Sequence, residues 1–207
     1  MALADILAHP LLYMAYQGLV GGVRARRLCM ERNLQPGPSL NVLDIGCGPG
    51  YGIRYFQNPA FYGYDVSESY IHWASAKYGD RATFTAREFT EAELSHVPPM
   101  DVVLLMGLLH HLDDHQSQQL MSLVYRALKP GGVAVTLDGC YVAGQSGIAK
   151  WFLDGDRGRF VRDEPGYLKL ARPVFDRVES TIHHDYFRIP YSIAIMKCYR
   201  DATTSAK

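Results

Sequence analysis

The chain has 207 residues, 48% of them hydrophobic and 20% charged, which is ordinary for a single globular domain. Its 21 basic residues balance 21 acidic residues, so the chain lacks the overall positive charge of proteins that coat nucleic acid. No apolar run approaches the roughly 18 residues of a membrane span, and the first residues lack the basic start of a secretory signal. We therefore expect a soluble, cytoplasmic monomer or homodimer with no membrane span and no nucleic-acid partner.

A helical pattern covers residues 4–32, with these residues at helical spacing: Leu11, Leu12, Ala15, Tyr16 and Leu19. The segment from Gln35 to Ser39 ends this pattern, because no helix continues through its prolines and glycine. The sequence thus predicts an N-terminal helical arm over residues 1–35, a core over 36–200 and a polar tail over 201–207. We interpret the basic cluster of the arm as a solvated helix face: Arg24, Arg26 and Arg27.

From Asn41 onward, short aliphatic runs alternate with helical stretches, which is typical of a parallel sheet buried on both faces. One helix is expected after Ser67, a natural N-cap, and another is expected to end at the stop signal Lys129 to Gly132. The predicted fold is α/β, with a doubly wound, mostly parallel, seven-stranded sheet and an antiparallel closing strand. The expected strands are 42–45, 61–64, 82–85, 101–106 and 133–137, followed by a closing pair within 174–181 and 191–199.

Three alternating glycines follow the first strand, in the segment Val42 to Gly50, and a helix is expected next. Such a loop lets the backbone approach a ligand closely, although a tight structural turn is the alternative. The dinucleotide pattern GxGxxG is excluded, since Tyr51 and Ile53 stand where its last glycine would be. A Walker loop is excluded because no Gly-Lys-Ser/Thr occurs.

This loop resembles the first motif of the class I S-adenosylmethionine-dependent methyltransferases, most closely those of small-molecule type. The resemblance runs from about Asn41 to Tyr199 and includes an ordered set of later features: Asp65, Glu88, 101–104, 109–112 and 128–132. It implies a Rossmann-like fold, S-adenosyl-L-methionine as cofactor, and a small-molecule acceptor.

Asp65 ends the second strand, where a carboxylate can accept both ribose hydroxyls; capping the next helix is the alternative. By resemblance, Glu88 meets the adenine amine, for which a solvated charge is the alternative. Also by resemblance, Tyr13, Tyr16 and Gln17 form a lid, for which core packing is the alternative. The predicted cofactor-binding residues are Tyr16, Gln17, Asp44, Gly46, Cys47, Gly48, Gly50, Asp65, Val66, Glu88, Phe89, Met106 and Gly107.

Methyl transfer from a sulfonium needs no enzyme nucleophile, but a hydroxyl acceptor benefits from a base. His110 is the predicted base, since imidazole takes a proton near neutral pH; a sequence feature without that role is the alternative. The predicted acceptor contacts are His111, Tyr141, Arg157, Arg159 and Arg162. The arginines would bind an anionic acceptor, and a salt-bridged surface loop is their alternative.

We expect no metal site, because His111 and His115 have no third ligand at a metal-binding spacing, and a helix cap is the expected role of Asp113 or Asp114. The four cysteines are far apart, so reduced thiols are expected. The leading function is direct in-line methyl transfer to oxygen of a small molecule. Methylation of a protein or RNA, and a noncatalytic S-adenosylmethionine-binding scaffold, remain alternatives.

Overall fold

The computed structural model describes residues 10–34, 37, 39–155 and 158–202. Its first described helices are α1 (Pro10–Val20) and α2 (Gly22–Asn33), which lie within the segment predicted as a helical arm. Gly21 separates them with φ 94°, in the left-handed region that favours glycine. Within the described residues no helix is long and apolar enough to cross a membrane.

Strands and helices then alternate. The strands are β1 (Asn41–Ile45), β2 (Ala60–Asp65), β3 (Ala82–Ala86), β4 (Met100–Met106), β5 (Leu128–Tyr141), β6 (Arg162–Asp163), β7 (Arg177–His183) and β8 (Ile193–Tyr199). The helices between them are α3 (Glu68–Tyr78), α4 (Asp114–Ala127), α5 (Gly147–Asp154) and α6 (Glu164–Ala171). Three short 3₁₀ helices cover Tyr51–Tyr55, Glu91–His96 and Leu109–His111.

The strand order is β3-β2-β1-β4-β5-β8-β7, and β6 pairs with the end of β5. Strand β8 runs antiparallel to both neighbours, whereas the other pairs are parallel. The predicted mostly parallel sheet with an antiparallel closing strand is therefore confirmed. Strand β6 makes an eighth strand that was not predicted, because two residues are too short to show alternation.

Two local expectations were wrong. The glycine loop leads into the five-residue 3₁₀ helix Tyr51–Tyr55, since Gly52 weakens a helix there and Pro59 soon follows. Helix α4 does end before Lys129, but the stop signal itself lies within β5. The first residues of β5 are irregular: Gly131 has φ 84°, and the pairing of β5 with β4 shifts register there.

The sheet is buried on both faces, as its aliphatic strands predict. Along β4, Val103 and Leu105 face a core covered by α4, whereas Val102 and Leu104 face a second core that contains α2. All four cysteines are buried and form no disulfide. This packing brings the carboxyl ends of β1, β2, β4 and β5 to one edge, where open α/β sheets bind ligands.

Candidate active site

A cavity of about 1030 Å³ opens at that edge. Its walls unite many of the predicted site residues: Gly46, Gly48, Asp65, Val66, Glu88, Phe89, Met106, Gly107 and His111. An adjoining smaller cavity shares Gly46, Gly48 and Met106 with it and adds Asp44 and Cys47. The larger cavity has about the size expected for a small-ligand site, and both cavities lie at the edge of the sheet where such sites are expected.

The glycine loop is held against the end of β2. Gly46 and Cys47 donate backbone hydrogen bonds of 2.8 and 3.0 Å to the carbonyl of Tyr64. Gly48 has φ 52°, and a Cβ placed on it would meet no atom within 4 Å. Its glycine is thus required by the backbone conformation, and that conformation leaves an open surface beside the cavity.

Gly50 differs from the other two loop glycines. It has φ 75°, and a Cβ on it would lie 3.0 Å from the Phe84 ring and 3.1 Å from Ala74. It lines neither of the two cavities. We therefore assign Gly50 to packing of the loop rather than to direct ligand contact.

Asp65 connects the glycine loop to the start of α3. Its two oxygens accept hydrogen bonds from the backbone N–H groups of Gly48 (2.8 Å) and Ser67 (2.9 Å). The pKa of Asp65 is raised, because the effect of burial is larger than the lowering by these two hydrogen bonds. Ser67 itself caps α3 through the N–H of Tyr70. Each carboxylate oxygen can accept a further hydrogen bond, so Asp65 can bind hydroxyl groups in the cavity that it lines.

Asp44 is the most deeply buried acid near the loop, with 3% of its surface exposed. Its Oδ1 has no hydrogen-bond partner among the described residues. Burial raises the pKa of Asp44 to about 7, Arg26 lowers it and Asp65 raises it. Because an unpartnered buried carboxylate oxygen is unfavourable, the geometry suits a cationic ligand in the cavity that Asp44 lines.

Arg26 is the main site residue that the sequence did not identify. It projects from α2, lines both cavities and donates to Oε1 of Gln17 at 3.0 Å. The prediction of a solvated basic face is therefore wrong for Arg26 and for Arg24, which bonds two carbonyls of the β7–β8 connection. It holds for exposed Arg27, which pairs with Glu31.

A sequence signal for Arg26 was present. Gly22 and Met30 stand one helical turn to either side of it, and both are buried. Neither Tyr16 nor Gln17 lines either cavity. Gln17 is connected to the site by the hydrogen bond that it accepts from Arg26. The side chain of Tyr13 lies outside the described residues.

Apolar side chains form one wall of the larger cavity. Val66 is 74% exposed there, Met106 lines both cavities, and buried Phe89 packs edge-to-face on Tyr64 at 5.0 Å. Exposed Glu88 lies on the same wall. This arrangement suits a flat aromatic group with a polar edge.

The predicted base His110 is buried and lines neither cavity. Its Nδ1 lies 2.8 Å from Oδ1 of Asp138, which lies within strand β5. The ring of His111 lies 4.2 Å from that of His110 and lines the larger cavity. The two histidines therefore occupy different environments although they are adjacent in sequence.

The predicted acceptor arginines are not brought together at the cavity. The guanidinium of Arg162 donates to three backbone carbonyls and pairs with Asp114 at 2.8 Å. Arg159 is exposed, and Arg157 lies outside the described residues. Arg162 is therefore committed to holding the loop after α5, which matches the structural alternative.

Two other predictions from this region can be located. Tyr141, at the end of β5, donates to Oδ1 of Asp154 at 2.8 Å. Asp113 caps α4 by accepting from the N–H of Gln116 at 2.8 Å, as expected for one of the two aspartates. Among the described residues, no group of three His, Cys, Asp or Glu side chains could hold a metal ion.

Comparisons with known proteins point to one family. Residues 42–132 match a family model described as a methyltransferase domain, and a search of curated proteins found no related sequence. Among solved structures, phosphoethanolamine N-methyltransferase 2 of Haemonchus contortus, in complex with phosphomonomethylethanolamine and S-adenosylhomocysteine, gives a TM-score of 0.73 at 16% identity. The match covers 96% of this chain and 59% of that one.

Two further structures share the fold. The geranyl diphosphate C-methyltransferase of Streptomyces coelicolor, with Mg²⁺, geranyl diphosphate and S-adenosylhomocysteine, gives a TM-score of 0.62 at 16% identity, covering 84% of this chain and 77% of that one. The [4+2]-cyclase SpnF gives 0.65 at 18% identity, covering 86% and 81%. The family match begins one residue into β1 and spans the glycine loop, Asp65 and β4. Together with the fold, this match supports the resemblance to the class I S-adenosylmethionine-dependent methyltransferases, and residues 42–132 are those that the methyltransferase-domain model covers.

Proposed function

We propose that this protein transfers the methyl group of S-adenosylmethionine to an oxygen of a small-molecule acceptor by direct in-line displacement. One observation carries the proposal. The cavity at the sheet edge joins a left-handed glycine loop to Asp65, and it adjoins the unpartnered oxygen of Asp44. A nucleoside with a charged amino-acid tail needs this combination of groups.

The residues present fit that cofactor at both of its ends. Asp65 offers acceptor capacity for ribose hydroxyls, and the open backbone at Gly48 allows close approach. Asp44 and Arg26 border the smaller cavity with opposite charges, which matches the ammonium and carboxylate of a methionine group. Cys47 lines the same cavity, but burial raises the pKa of its thiol well above the ordinary value, so we assign it no nucleophilic role.

The apolar wall of the larger cavity would bind the nucleobase end of the cofactor. Val66, Phe89 and Met106 would flank the adenine, and Glu88 would accept from its amine. Gly107, with φ 82°, lets the backbone after β4 come close to the adenosyl group. Burying the adenine on Val66 would also cover an apolar side chain that is otherwise 74% exposed.

S-adenosylmethionine supplies an electrophilic methyl group: a bond forms between the acceptor oxygen and the methyl carbon while the carbon–sulfur bond breaks and its electron pair stays on sulfur. The protein contributes position, exclusion of water and a proton acceptor. We assign the proton acceptor to His110, and Tyr16 and Gln17 of α1 to a cover over the methionine end. His111, Tyr141, Arg157 and Arg159 are the proposed acceptor contacts, whereas Arg162 is already engaged within the fold.

A small, anionic acceptor is favoured over a protein or RNA. The balanced net charge offers no general attraction for nucleic acid. Two structural neighbours were crystallised with phosphate- or diphosphate-bearing small molecules. The proposed arginine contacts have the chemistry to recognise such groups.

The test is transfer of a labelled methyl group. The protein is incubated with trideuteriomethyl S-adenosylmethionine and panels of anionic phenols, alcohols, amines, protein and RNA, and products are identified by mass spectrometry. We expect label on oxygen of a small molecule, lost in Asp65→Ala. Label on nitrogen, carbon, protein or RNA would contradict the proposed acceptor, and tight cofactor binding without transfer to any member would support a scaffold.

A further inference from the structure

Tyr64, the residue before Asp65 in β2, contacts two parts of the candidate site. Its backbone carbonyl accepts hydrogen bonds from the N–H groups of Gly46 and Cys47, at 2.8 and 3.0 Å. Its ring packs edge-to-face on that of Phe89, with the ring centres 5.0 Å apart. Both aromatic residues are buried, and both line the larger cavity. Tyr64 therefore joins the glycine loop to the wall at which we place the adenine.

The hydroxyl group of Tyr64 makes a third contact, a hydrogen bond to the carboxylate of Glu93. Burial and this bond raise the pKa of Tyr64 to about 12, so the phenol stays protonated at neutral pH and is the donor. Glu93 lies in the 3₁₀ helix that follows β3 and is only 5% exposed. Its oxygens also lie 3.3 Å from Nη1 of Arg87 and 3.5 Å from Nδ1 of His96. Tyr64 thus supplies one of the partners that a buried carboxylate needs.

The segment 87–90 lies between β3 and this 3₁₀ helix. Glu93 holds the segment at both ends, because its carboxylate pairs with Arg87 and its backbone N–H donates to the carbonyl of Thr90 at 3.0 Å. The proposed adenine contacts of this segment lie between these two attachment points. Their position relative to the glycine loop therefore depends on the hydrogen bond between Tyr64 and Glu93.

We infer that Tyr64 and Glu93 are positioning residues that make the cofactor site selective for adenine. Their hydrogen bond holds the segment 87–90 at a fixed distance from the glycine loop, with Glu88 placed to accept from the amine of the base. The inference rests on the proposed function, in which Glu88 makes that contact. Hypoxanthine carries a carbonyl oxygen where adenine carries the amine, and a carboxylate cannot donate to it. A site that holds Glu88 in place should therefore reject hypoxanthine, whereas a site with a loosened segment should not.

A general packing role for Tyr64 is the competing explanation, because its ring is buried against Phe89. Loss of packing alone would weaken binding of adenine and hypoxanthine ligands by the same factor. Loss of positioning would instead bring the two affinities together, since selectivity is a difference of affinities. Tyr64→Phe separates the two explanations, because it keeps the ring and removes only the hydroxyl group.

The test is calorimetric titration with S-adenosylhomocysteine and with S-inosylhomocysteine, its hypoxanthine analogue. We expect the wild type to bind the adenine compound at least about tenfold more tightly, since the analogue loses a hydrogen bond to a charged group. This ratio should fall at least about threefold in Tyr64→Phe and in Glu93→Leu. The double variant should match Glu93→Leu, because the bond is already absent there. The control Tyr125→Phe removes a hydroxyl bound to Asp176 and should keep the wild-type ratio.

Two results would overturn the inference. One is a Tyr64→Phe variant with the wild-type ratio, whether or not both affinities fall. The other is a wild type that binds the two compounds equally, and this result is available even if neither variant folds.

Hydrogen exchange of the ligand-free protein gives a second readout. Peptides covering residues 87–93 should exchange at least about threefold faster in Tyr64→Phe than in the wild type or in Tyr125→Phe. Unchanged exchange would overturn the inference, because the bond would then not hold the segment. Failure of the wild type to bind S-adenosylhomocysteine would instead refute the proposed function, and the exchange experiment would still measure whether Tyr64 positions the segment.

Discussion

The carboxyl edge of the sheet has two halves, and the polar side chains of the two halves differ in their surroundings. At the ends of β1 and β2, Asp44 and Asp65 line cavities, and one oxygen of Asp44 has no partner among the described residues. At the ends of β4 and β5, His110 and Asp138 bond each other, and Arg162 bonds backbone carbonyls nearby. Each half has one buried carboxylate oxygen without a hydrogen-bond partner among the described residues, Oδ1 of Asp44 and Oδ2 of Asp138. Of these acids, Asp44 and Asp65 line the cavities and Asp138 does not, so the first half offers its hydrogen-bonding capacity to a ligand.

The difference fits two separate tasks. A buried carboxylate without a partner is unfavourable until a ligand supplies one, so the β1–β2 half is built to gain stability on binding. The proposed base His110 needs a fixed orientation before the substrate arrives, and its bond to Asp138 fixes the position of its ring. Variants in the two halves should therefore affect different measurements.

The largest expected effect lies in the β4–β5 half. His110→Gln should lower kcat by about 10²- to 10⁴-fold, because the proposed general base is lost, while calorimetry should find S-adenosylmethionine affinity nearly unchanged. His115→Gln, an exposed histidine on α4, is the matched control. A variant that loses cofactor affinity in proportion to kcat would contradict the separation of the two halves.

The next effect belongs to the β1–β2 half. Asp65→Ala should raise the Kd for S-adenosylmethionine at least about tenfold, since hydrogen bonds to a charged group contribute roughly 1.5–3 kcal/mol. Glu68→Ala removes a neighbouring exposed carboxylate and should leave the Kd unchanged. Equal Kd values for both variants in calorimetric titrations would assign Asp65 to loop structure alone.

Asp44 should make cofactor binding pH-dependent. Burial raises its pKa to about 7, so the carboxyl becomes neutral as the pH falls below 7 and no longer attracts an ammonium group. Affinity for S-adenosylmethionine should fall from pH 7 to pH 5, by at most about tenfold per pH unit. In Asp44→Asn this dependence should disappear; a variant that retains the wild-type pH profile would rule out Asp44 as its source.

In the ligand-free protein, the raised pKa of Asp44 makes the folding stability decrease as the pH rises, whereas cofactor affinity is expected to increase. The unfolded chain ionises Asp44 near its ordinary pKa and the folded chain only near 7, so this group lowers stability as the pH rises from about 4 to 7. Asp44→Asn should therefore be stabilised relative to the wild type at pH 8 and not at pH 4. Thermal unfolding at the two pH values measures this difference.

The smallest effect is expected at the arm. Arg26→Gln should weaken S-adenosylmethionine binding about fivefold, equivalent to roughly 1 kcal/mol for a half-exposed charged contact. It should also raise the pKa of Asp44 further, because Arg26 lowers that pKa in the wild type. Arg27→Gln, one position along α2 and paired with Glu31, is the control and should change neither quantity.

The sequence was most informative where chemistry depends on contiguous residues. The glycine loop, Asp65 and Gly107 each follow a strand directly, so the strand pattern alone places them at one edge. The parallel sheet and its closing strand were predictable for the same reason, since their aliphatic runs are continuous.

Contacts between distant segments were not predictable. Asp138 lies 28 positions from His110, and nothing in β5 distinguishes it from an ordinary strand-end acid. Arg26 belongs to an arm whose charges look solvated until the packing of α2 places one of them in the cavity. Arg162 looked available for an anion, but backbone carbonyls of the preceding segments already occupy it.

The most direct test of the central claim is calorimetric titration of the protein with S-adenosylmethionine and, separately, with NAD. We predict saturable binding of S-adenosylmethionine, weakened at least about tenfold in Asp65→Ala, and no binding of NAD because the loop lacks the GxGxxG spacing. Tight binding of NAD with no response to S-adenosylmethionine would contradict it.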